Sequence, residues 1–214
     1  MSAYKKIDTD IANYYSNKIL KYGNSPHGVD WNGEESQVLR FKQLSKVIKD
    51  RSNFSLLDYG CGYAAYLDFL SKKYKSFKYY GFDLSAEMIQ ASRERIHVAS
   101  DCSFSSSIEN IPMVDYVIAS GVFNVKLDND SSRWREYTLS TLNKINSLSS
   151  KGFSFNCLTS YSDQSKKRND LYYADPLFFF DYCKNSFSKR ITLIHDYDLY
   201  EFTILVIKEW IKKN

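Results

Sequence analysis

A glycine-rich turn after the first strongly apolar segment has the clearest chemical meaning in this chain. The run Leu56-Leu57-Asp58-Tyr59-Gly60-Cys61-Gly62-Tyr63-Ala64-Ala65 contains the spacing G-x-G-x-x-A, and Asp83 follows the second glycine at the roughly 20-residue separation of a dinucleotide fingerprint. In such sites glycines let the backbone approach the ligand, a helix N-terminus offers free N–H groups, and the later acid accepts ribose hydroxyls. The pattern therefore predicts a site for an adenosine-containing ligand.

Asp58 helps to choose between the ligands that such a turn accepts. It lies two residues before the first glycine, at the end of a predicted strand. Beside a pyrophosphate this carboxylate would repel the ligand by roughly a few kcal/mol in a partly dry site. It would attract an ammonium group, and S-adenosylmethionine carries one, together with a sulfonium and a ribose. The charge favours S-adenosylmethionine, and an NAD(P)-dependent oxidoreductase is the alternative interpretation.

Two segments resemble motifs of the class I S-adenosylmethionine-dependent methyltransferases. Leu56-Leu57-Asp58-x-Gly60-Cys61-Gly62 resembles their first motif, and Tyr80-Gly81-Phe82-Asp83-Leu84-Ser85-x-x-Met88-Ile89 resembles their second. The resemblance covers about residues 54 to 207. Ala64 departs from it, because the family has its third glycine there. The resemblance implies transfer of the methyl group of S-adenosylmethionine, with S-adenosylhomocysteine as the product.

The resemblance also implies roles for individual residues in binding this cofactor. Around its methionine part and ribose it implies Asp58 for the amino group, the turn residues Gly60, Cys61 and Gly62, and Asp83 for the ribose diol. Around the adenine it implies Leu84, Met88, Ser106, Ser107 and Ile108, and near the methyl group it implies Ser120, Gly121 and Val122.

The methyl acceptor is harder to predict, because alignment supplies most of the acceleration of methyl transfer and a base is optional. We expect the acceptor above the ends of the fourth and fifth strands, beneath a lid formed by the N-terminal segment. The residues predicted to line this place are Tyr22, His27, Asp30 and Trp31 from that segment, and Phe123, Asn124, Tyr172 and Tyr173 from later loops. No catalytic residue is predicted firmly, and the candidates are Tyr161 and His195.

Trp31 allows two interpretations. It packs on the cofactor or the acceptor when the lid closes, or it anchors the N-terminal helix to the core. The basic run Lys166-Lys167-Arg168 also allows two, since it is either solvated or meets an anionic acceptor such as a phosphorylated sugar.

The choice of acceptor rests on what the chain lacks. No Asp/Asn-Pro-Pro-Tyr motif follows the fourth predicted strand, where Ser120-Gly121-Val122-Phe123 stands, and this disfavours methylation of bases and glutamine amides. We predict a small polar metabolite, with O-methylation of a sugar or another precursor of surface polysaccharides or secondary metabolites preferred over N-methylation. A non-catalytic module that binds an adenosyl ligand is the remaining alternative.

Strands and helices must alternate to bring these residues together. Apolar segments predict five strands at residues 55–58, 77–82, 102–104, 114–120 and 153–158, separated by amphipathic helices, with an antiparallel hairpin at 191–194 and 200–207. Such alternation is typical of a parallel sheet covered on both faces. We therefore predict an α/β, Rossmann-like, doubly wound domain with a seven-stranded, mostly parallel sheet at residues 51–214. Residues 1–50 are predicted to form a helical cap or lid.

Composition agrees with such a domain. The 214 residues are 43% hydrophobic and 25% charged, with a net charge of +4, which is typical of a globular protein and disfavours a nucleic-acid binder. No apolar run is long enough for a membrane span, and no targeting segment opens the chain, so a cytoplasmic protein is predicted. Four widely separated cysteines and three scattered histidines predict no metal site. The sequence leaves monomer and homodimer open.

Overall fold

The computed structural model describes residues 4–31, 33–96 and 101–208. Six α-helices lie in these ranges: α1 Lys5–Tyr22, α2 Glu34–Leu44, α3 Ala65–Lys73, α4 Ala86–Arg95, α5 Ser131–Leu148 and α6 Pro176–Ser186. Eight strands lie there as well: β1 Phe54–Tyr59, β2 Phe77–Phe82, β3 Cys102–Ser105, β4 Val114–Ala119, β5 Ser149–Thr159, β6 Tyr173–Ala174, β7 Arg190–Ile194 and β8 Glu201–Ile207.

The chain divides into two compact units, the first formed by residues 1–42 and 50–112. Its strands are parallel, with β2 between β1 and β3. Tyr59, Phe82 and Ser105 end the three strands in matching register. Since parallel strands share one carboxyl edge, the segments that follow these three residues begin side by side. The glycine turn and Asp83 start from this edge.

The second unit comprises residues 43–49 and 113–214. Its strand β5 pairs in parallel with β4 and β6 and antiparallel with β8, which in turn pairs antiparallel with β7. Because β8 runs opposite to β5, and β7 runs opposite to β8, the start of β8 and the end of β7 lie at the edge where β5 ends. His195, directly after β7, therefore lies at this edge.

The predicted α/β class is confirmed, with mostly parallel strands and an antiparallel C-terminal hairpin. In the described part of the chain, the two-residue strand β6 pairs with β5 in addition to the seven predicted strands. Two residues carry no periodic pattern, so the sequence holds no signal for this strand. The predicted cap of residues 1–50 remains a prediction. No helix among the described residues is long and apolar enough to cross a membrane.

Candidate functional site

The turn after β1 has the backbone conformation for which glycine is suited. Gly60 and Gly62 have φ angles of 78° and 54°. Ala64 has φ 61°, so it adopts the left-handed conformation at the position of the family's third glycine. This conformation costs a non-glycine residue about 1–2 kcal/mol. The N–H groups of Gly60 and Cys61 donate to the carbonyl of Phe82, which fastens the turn to the end of β2.

Asp83 connects this turn to helix α4. One carboxylate oxygen accepts the N–H of Gly62 at 2.9 Å, and the other accepts the N–H of Ser85, also at 2.9 Å. Burial raises the pKa of Asp83 to about 6, although the two N–H bonds act to lower it. Each carboxylate oxygen accepts more than one hydrogen bond, so both retain capacity for a hydroxyl donor. Ser85 caps α4, accepting the N–H of Met88 at 3.1 Å.

Asp58 lies beneath the turn and is 2% exposed. The Tyr79 hydroxyl, itself buried, donates to its Oδ2 at 2.6 Å. Burial raises the pKa of Asp58 to about 7, the Tyr79 hydrogen bond opposes this rise, and the negative charge of Asp83 adds to it. No sequence signal marks Tyr79 as a partner of Asp58, because an aromatic residue in a strand is ordinarily explained by packing.

This buried carboxyl predicts a pH-dependent stability. The pKa of Asp58 is raised above its ordinary value of 3.8, so its contribution to stability is complete below pH 3.8 and is lost as the pH rises through about 7. We expect the free energy of unfolding of wild type, relative to that of Asp58→Asn, to fall by about 2 kcal/mol between pH 5 and pH 8. Urea unfolding at several pH values measures this.

A tyrosine variant provides the control. Tyr79→Phe removes the hydrogen bond that lowers the pKa of Asp58, so the loss of stability should continue to a higher pH than in wild type. Tyr80→Phe changes the neighbouring residue of β2 and should leave the wild-type profile in place. Identical pH profiles for wild type and Asp58→Asn would show that Asp58 has an ordinary pKa.

The predicted adenine-side residues have varied surroundings. Met88 is buried in an apolar cluster with Ile19 and Tyr63, which explains an apolar residue here without a ligand. Its place beside adenine stays a prediction. Leu84, Ser107 and Ile108 are half-buried, Ser106 is exposed, and Cys61 is a buried free thiol.

The segment from α1 to residue 31 lies against the glycine turn. A Cβ added to Gly62 would be 2.7 Å from Cγ1 of Val29, so this valine fills the space beside the turn. The Ser16 hydroxyl bonds to that of Ser85 at 2.9 Å and donates to Glu87. These contacts join α1 to the N-terminus of α4, next to Asp83.

The predicted lid residues are held by partners of their own within this unit. Asp30 accepts the Tyr14 hydroxyl at 2.8 Å and pairs with Lys18 at 2.6 Å. The Arg40 guanidinium lies 3.8 Å from the centre of the Trp31 ring. The rings of Tyr22 and His27 are 6.3 Å apart. Closure of these residues over a ligand stays a prediction.

In the second unit, the turn after β4 brings several predicted residues together. Gly121, with φ 74°, follows Ser120 and precedes Val122. Asn124 accepts the Leu158 N–H on its side-chain oxygen at 3.0 Å and the Tyr172 N–H on its carbonyl at 2.8 Å. Phe123 is buried, and its carbonyl accepts the Trp134 indole N–H. Tyr173 lies in β6 and donates its hydroxyl to the carbonyl of Lys166.

The two catalytic candidates lie close together. The Tyr161 and His195 rings have centroids 6.0 Å apart, and both side chains are exposed at the edge where β5 ends. Two of the three basic residues of the nearby loop are engaged within it, since Lys167 donates to the carbonyl of Ser160 and Arg168 pairs with Asp170. This favours the solvated interpretation of the basic run.

Metal binding has no support in the described ranges. Within residues 4–31, 33–96 and 101–208, no group of three or more His, Cys, Asp or Glu side chains could hold an ion. His97, one of the three histidines in the sequence, lies outside the described residues.

The sequence of this chain is similar to those of known methyltransferases. A family model described as "Methyltransferase domain" matches residues 56–138. The chain is 46% identical over 163 residues to "Putative methyltransferase Rv1506c" of Mycobacterium tuberculosis, an alignment that covers 76% of this chain and 98% of the mycobacterial protein.

Solved structures share the fold at low sequence identity. Magnesium protoporphyrin IX methyltransferase (ChlM) of Synechocystis PCC 6803, solved with bound SAH, aligns with a TM-score of 0.65 at 13% identity, covering 94% of this chain and 99% of that one. The DhpI–SAH complex aligns with a TM-score of 0.66 at 12% identity, covering 94% and 97%. At such identities the likeness concerns the fold alone.

Proposed function

Because this chain belongs to the class I S-adenosylmethionine-dependent methyltransferases, we propose that it methylates an oxygen atom of a small polar metabolite. A sugar or another precursor of surface polysaccharides or secondary metabolites is the acceptor that we favour. For the cofactor, the observation that carries the proposal is the Asp83 carboxylate, which holds Gly62 and Ser85 by their N–H groups and keeps acceptor capacity for a diol.

The residues around the turn fit S-adenosylmethionine, which supplies a methyl group activated by its sulfonium. Asp83 would accept the ribose hydroxyls, and Asp58, two residues before Gly60, would act on the ammonium group through the turn. Both carboxyls have raised pKa values, and a bound cation would favour their ionised forms. The Asp58 carboxyl near the turn is poorly suited to a pyrophosphate, and this counts against an NAD(P)-dependent oxidoreductase.

Unpaired polar atoms in the second unit support a polar acceptor. The Asn124 amide nitrogen and the Ser120 hydroxyl oxygen are buried, and neither has a hydrogen-bond partner among the described residues. Asn124 is 5% exposed, and its side-chain oxygen is already engaged by Leu158. A buried polar group without a partner costs about 1–3 kcal/mol. A ligand oxygen at each atom would remove this cost, which favours a hydroxylated acceptor over an apolar one.

Calorimetric titration with S-adenosylhomocysteine, with NADH in parallel, tests the cofactor. We expect micromolar binding of the nucleoside and no binding of NADH. Binding of NADH alone would contradict the proposal. Transfer of labelled methyl from S-adenosylmethionine to a panel of sugars, nucleotide sugars and amines then tests the acceptor. We expect labelled oxygen ethers, and label found only on amines would contradict O-methylation.

A further inference from the structure

A carboxylate without a role in the proposed function is buried in the second unit. Glu201, the first residue of β8, is 1% exposed, and Asn156 on the neighbouring strand β5 is 0% exposed. The Asn156 amide nitrogen donates to the Glu201 carboxylate at 2.6 Å. Charged side chains are rarely buried in this way, because removal from water is costly unless a partner compensates. Such a pair needs an explanation beyond packing.

The other end of the Asn156 amide holds the turn after β4. Its side-chain oxygen accepts the N–H of Gly121 at 2.8 Å. A carboxylate only accepts hydrogen bonds, so Glu201 binds the nitrogen end of the amide and directs the oxygen end towards Gly121. The orientation of one amide thus links a buried carboxyl group on β8 to a single peptide group after β4.

That peptide group belongs to a backbone conformation that needs support. Gly121 has φ 74°, in the left-handed region. Its carbonyl accepts the N–H of Asn124 at 3.3 Å, so the turn closes on itself. The turn carries Ser120, Gly121 and Val122, for which the family resemblance implies contact with the methionine end and methyl group of the cofactor.

We propose that Glu201 and Asn156 are positioning residues that hold the Gly121 peptide in the orientation required for cofactor binding. Neither residue is assigned contact with the cofactor; Glu201 acts through Asn156, and Asn156 acts through the Gly121 N–H. The inference rests on the proposed function, because it concerns the same cofactor.

Two double variants separate positioning from packing. In Asn156→Asp/Glu201→Gln, the introduced glutamine amide donates to the introduced carboxylate, whose second oxygen accepts the Gly121 N–H. The hydrogen bonds from residue 201 through residue 156 to Gly121 are restored, but residue 201 is now the donor and residue 156 the acceptor. In Asn156→Leu/Glu201→Met, both partners become apolar at similar volume, which commonly preserves folding, but Gly121 loses its acceptor.

The measured quantities are the S-adenosylhomocysteine dissociation constant and hydrogen exchange at the Gly121 amide. We expect the exchanged pair to bind within about threefold of wild type with a protected amide. We expect the apolar pair to fold, to bind about tenfold more weakly and to exchange this amide faster. Ser154→Ala is the matched control, since it removes a buried hydroxyl two residues earlier on β5 that donates to the Leu44 carbonyl. It should lower stability without changing the affinity.

Two results would overturn the positioning role. One is wild-type affinity in the apolar pair, and the other is an equal loss of affinity in Ser154→Ala. If the wild type itself fails to bind S-adenosylhomocysteine, the proposed function fails. Hydrogen exchange at Gly121 still distinguishes the two pairs in that case, because it reports the hydrogen bond without a ligand.

Discussion

Asp83→Asn is expected to weaken S-adenosylhomocysteine binding by about 10- to 100-fold, since a hydrogen bond to a charged group contributes about 1.5–3 kcal/mol. The variant keeps the shape of the side chain but replaces one of the two oxygens that accept from Gly62 and Ser85. It therefore removes an acceptor for the ribose and also loosens the turn. Calorimetry measures the affinity.

A second charge change serves as control for this variant. Glu94→Gln removes an acid of the same unit that accepts a hydrogen bond from Gln90 at 2.6 Å on helix α4, away from the glycine turn. It should leave the affinity at the wild-type value. If Asp83→Asn bound within about threefold of wild type, a loss below 1 kcal/mol, the assignment of Asp83 to the ribose would be wrong.

The pH dependence of binding follows from the same carboxylate. The pKa of Asp83 is raised to about 6 by burial, and the ionised form is the one that accepts hydrogen bonds on both oxygens. Affinity should fall as the pH drops through 6, approaching tenfold per pH unit, in addition to any change that the titration of Asp58 causes near pH 7. Asp83→Asn should remove this part of the pH profile.

Gly62→Ala is expected to destabilise the first unit by about 2–4 kcal/mol and to abolish measurable cofactor binding. The residue has φ 54°, which an alanine adopts only at a cost. The added methyl would also lie 2.7 Å from Cγ1 of Val29, closer than two carbon atoms approach. This clash is relieved only if the turn changes its conformation or the N-terminal segment moves away from it. Urea unfolding and calorimetry measure the two effects.

Gly23→Ala is the control without a steric clash. Gly23 has φ 64° and ψ −164°, a conformation that is largely confined to glycine, but a Cβ at this position would meet nothing within 4 Å. The variant should cost about 1–3 kcal/mol of stability and leave cofactor binding unchanged. Loss of cofactor binding in Gly23→Ala as well would mean that binding responds to destabilisation of the first unit in general, and not to the glycine turn.

Local chemistry explains why so much of the first unit could be predicted. Positive φ at Gly60 and Gly62, the cap at Ser85 and the apolar periodicity of the helices are properties of a few consecutive residues. The direction of the strands followed from their alternation with helices, because a helix between two strands returns the chain to the same edge. The sequence therefore predicts that the glycine turn and Asp83 lie at one edge of the sheet.

The sequence by itself therefore determined the α/β class, the glycine turn and the acid that follows the second strand. Only the tertiary structure decided which buried polar groups meet. Tyr79 reaches Asp58 across 21 residues, and Glu201 reaches Asn156 across 45, each through strand pairing. A shift of one residue in either register would turn these side chains to the opposite face of the sheet. Register depends on packing over the whole domain, and no short stretch of sequence records it.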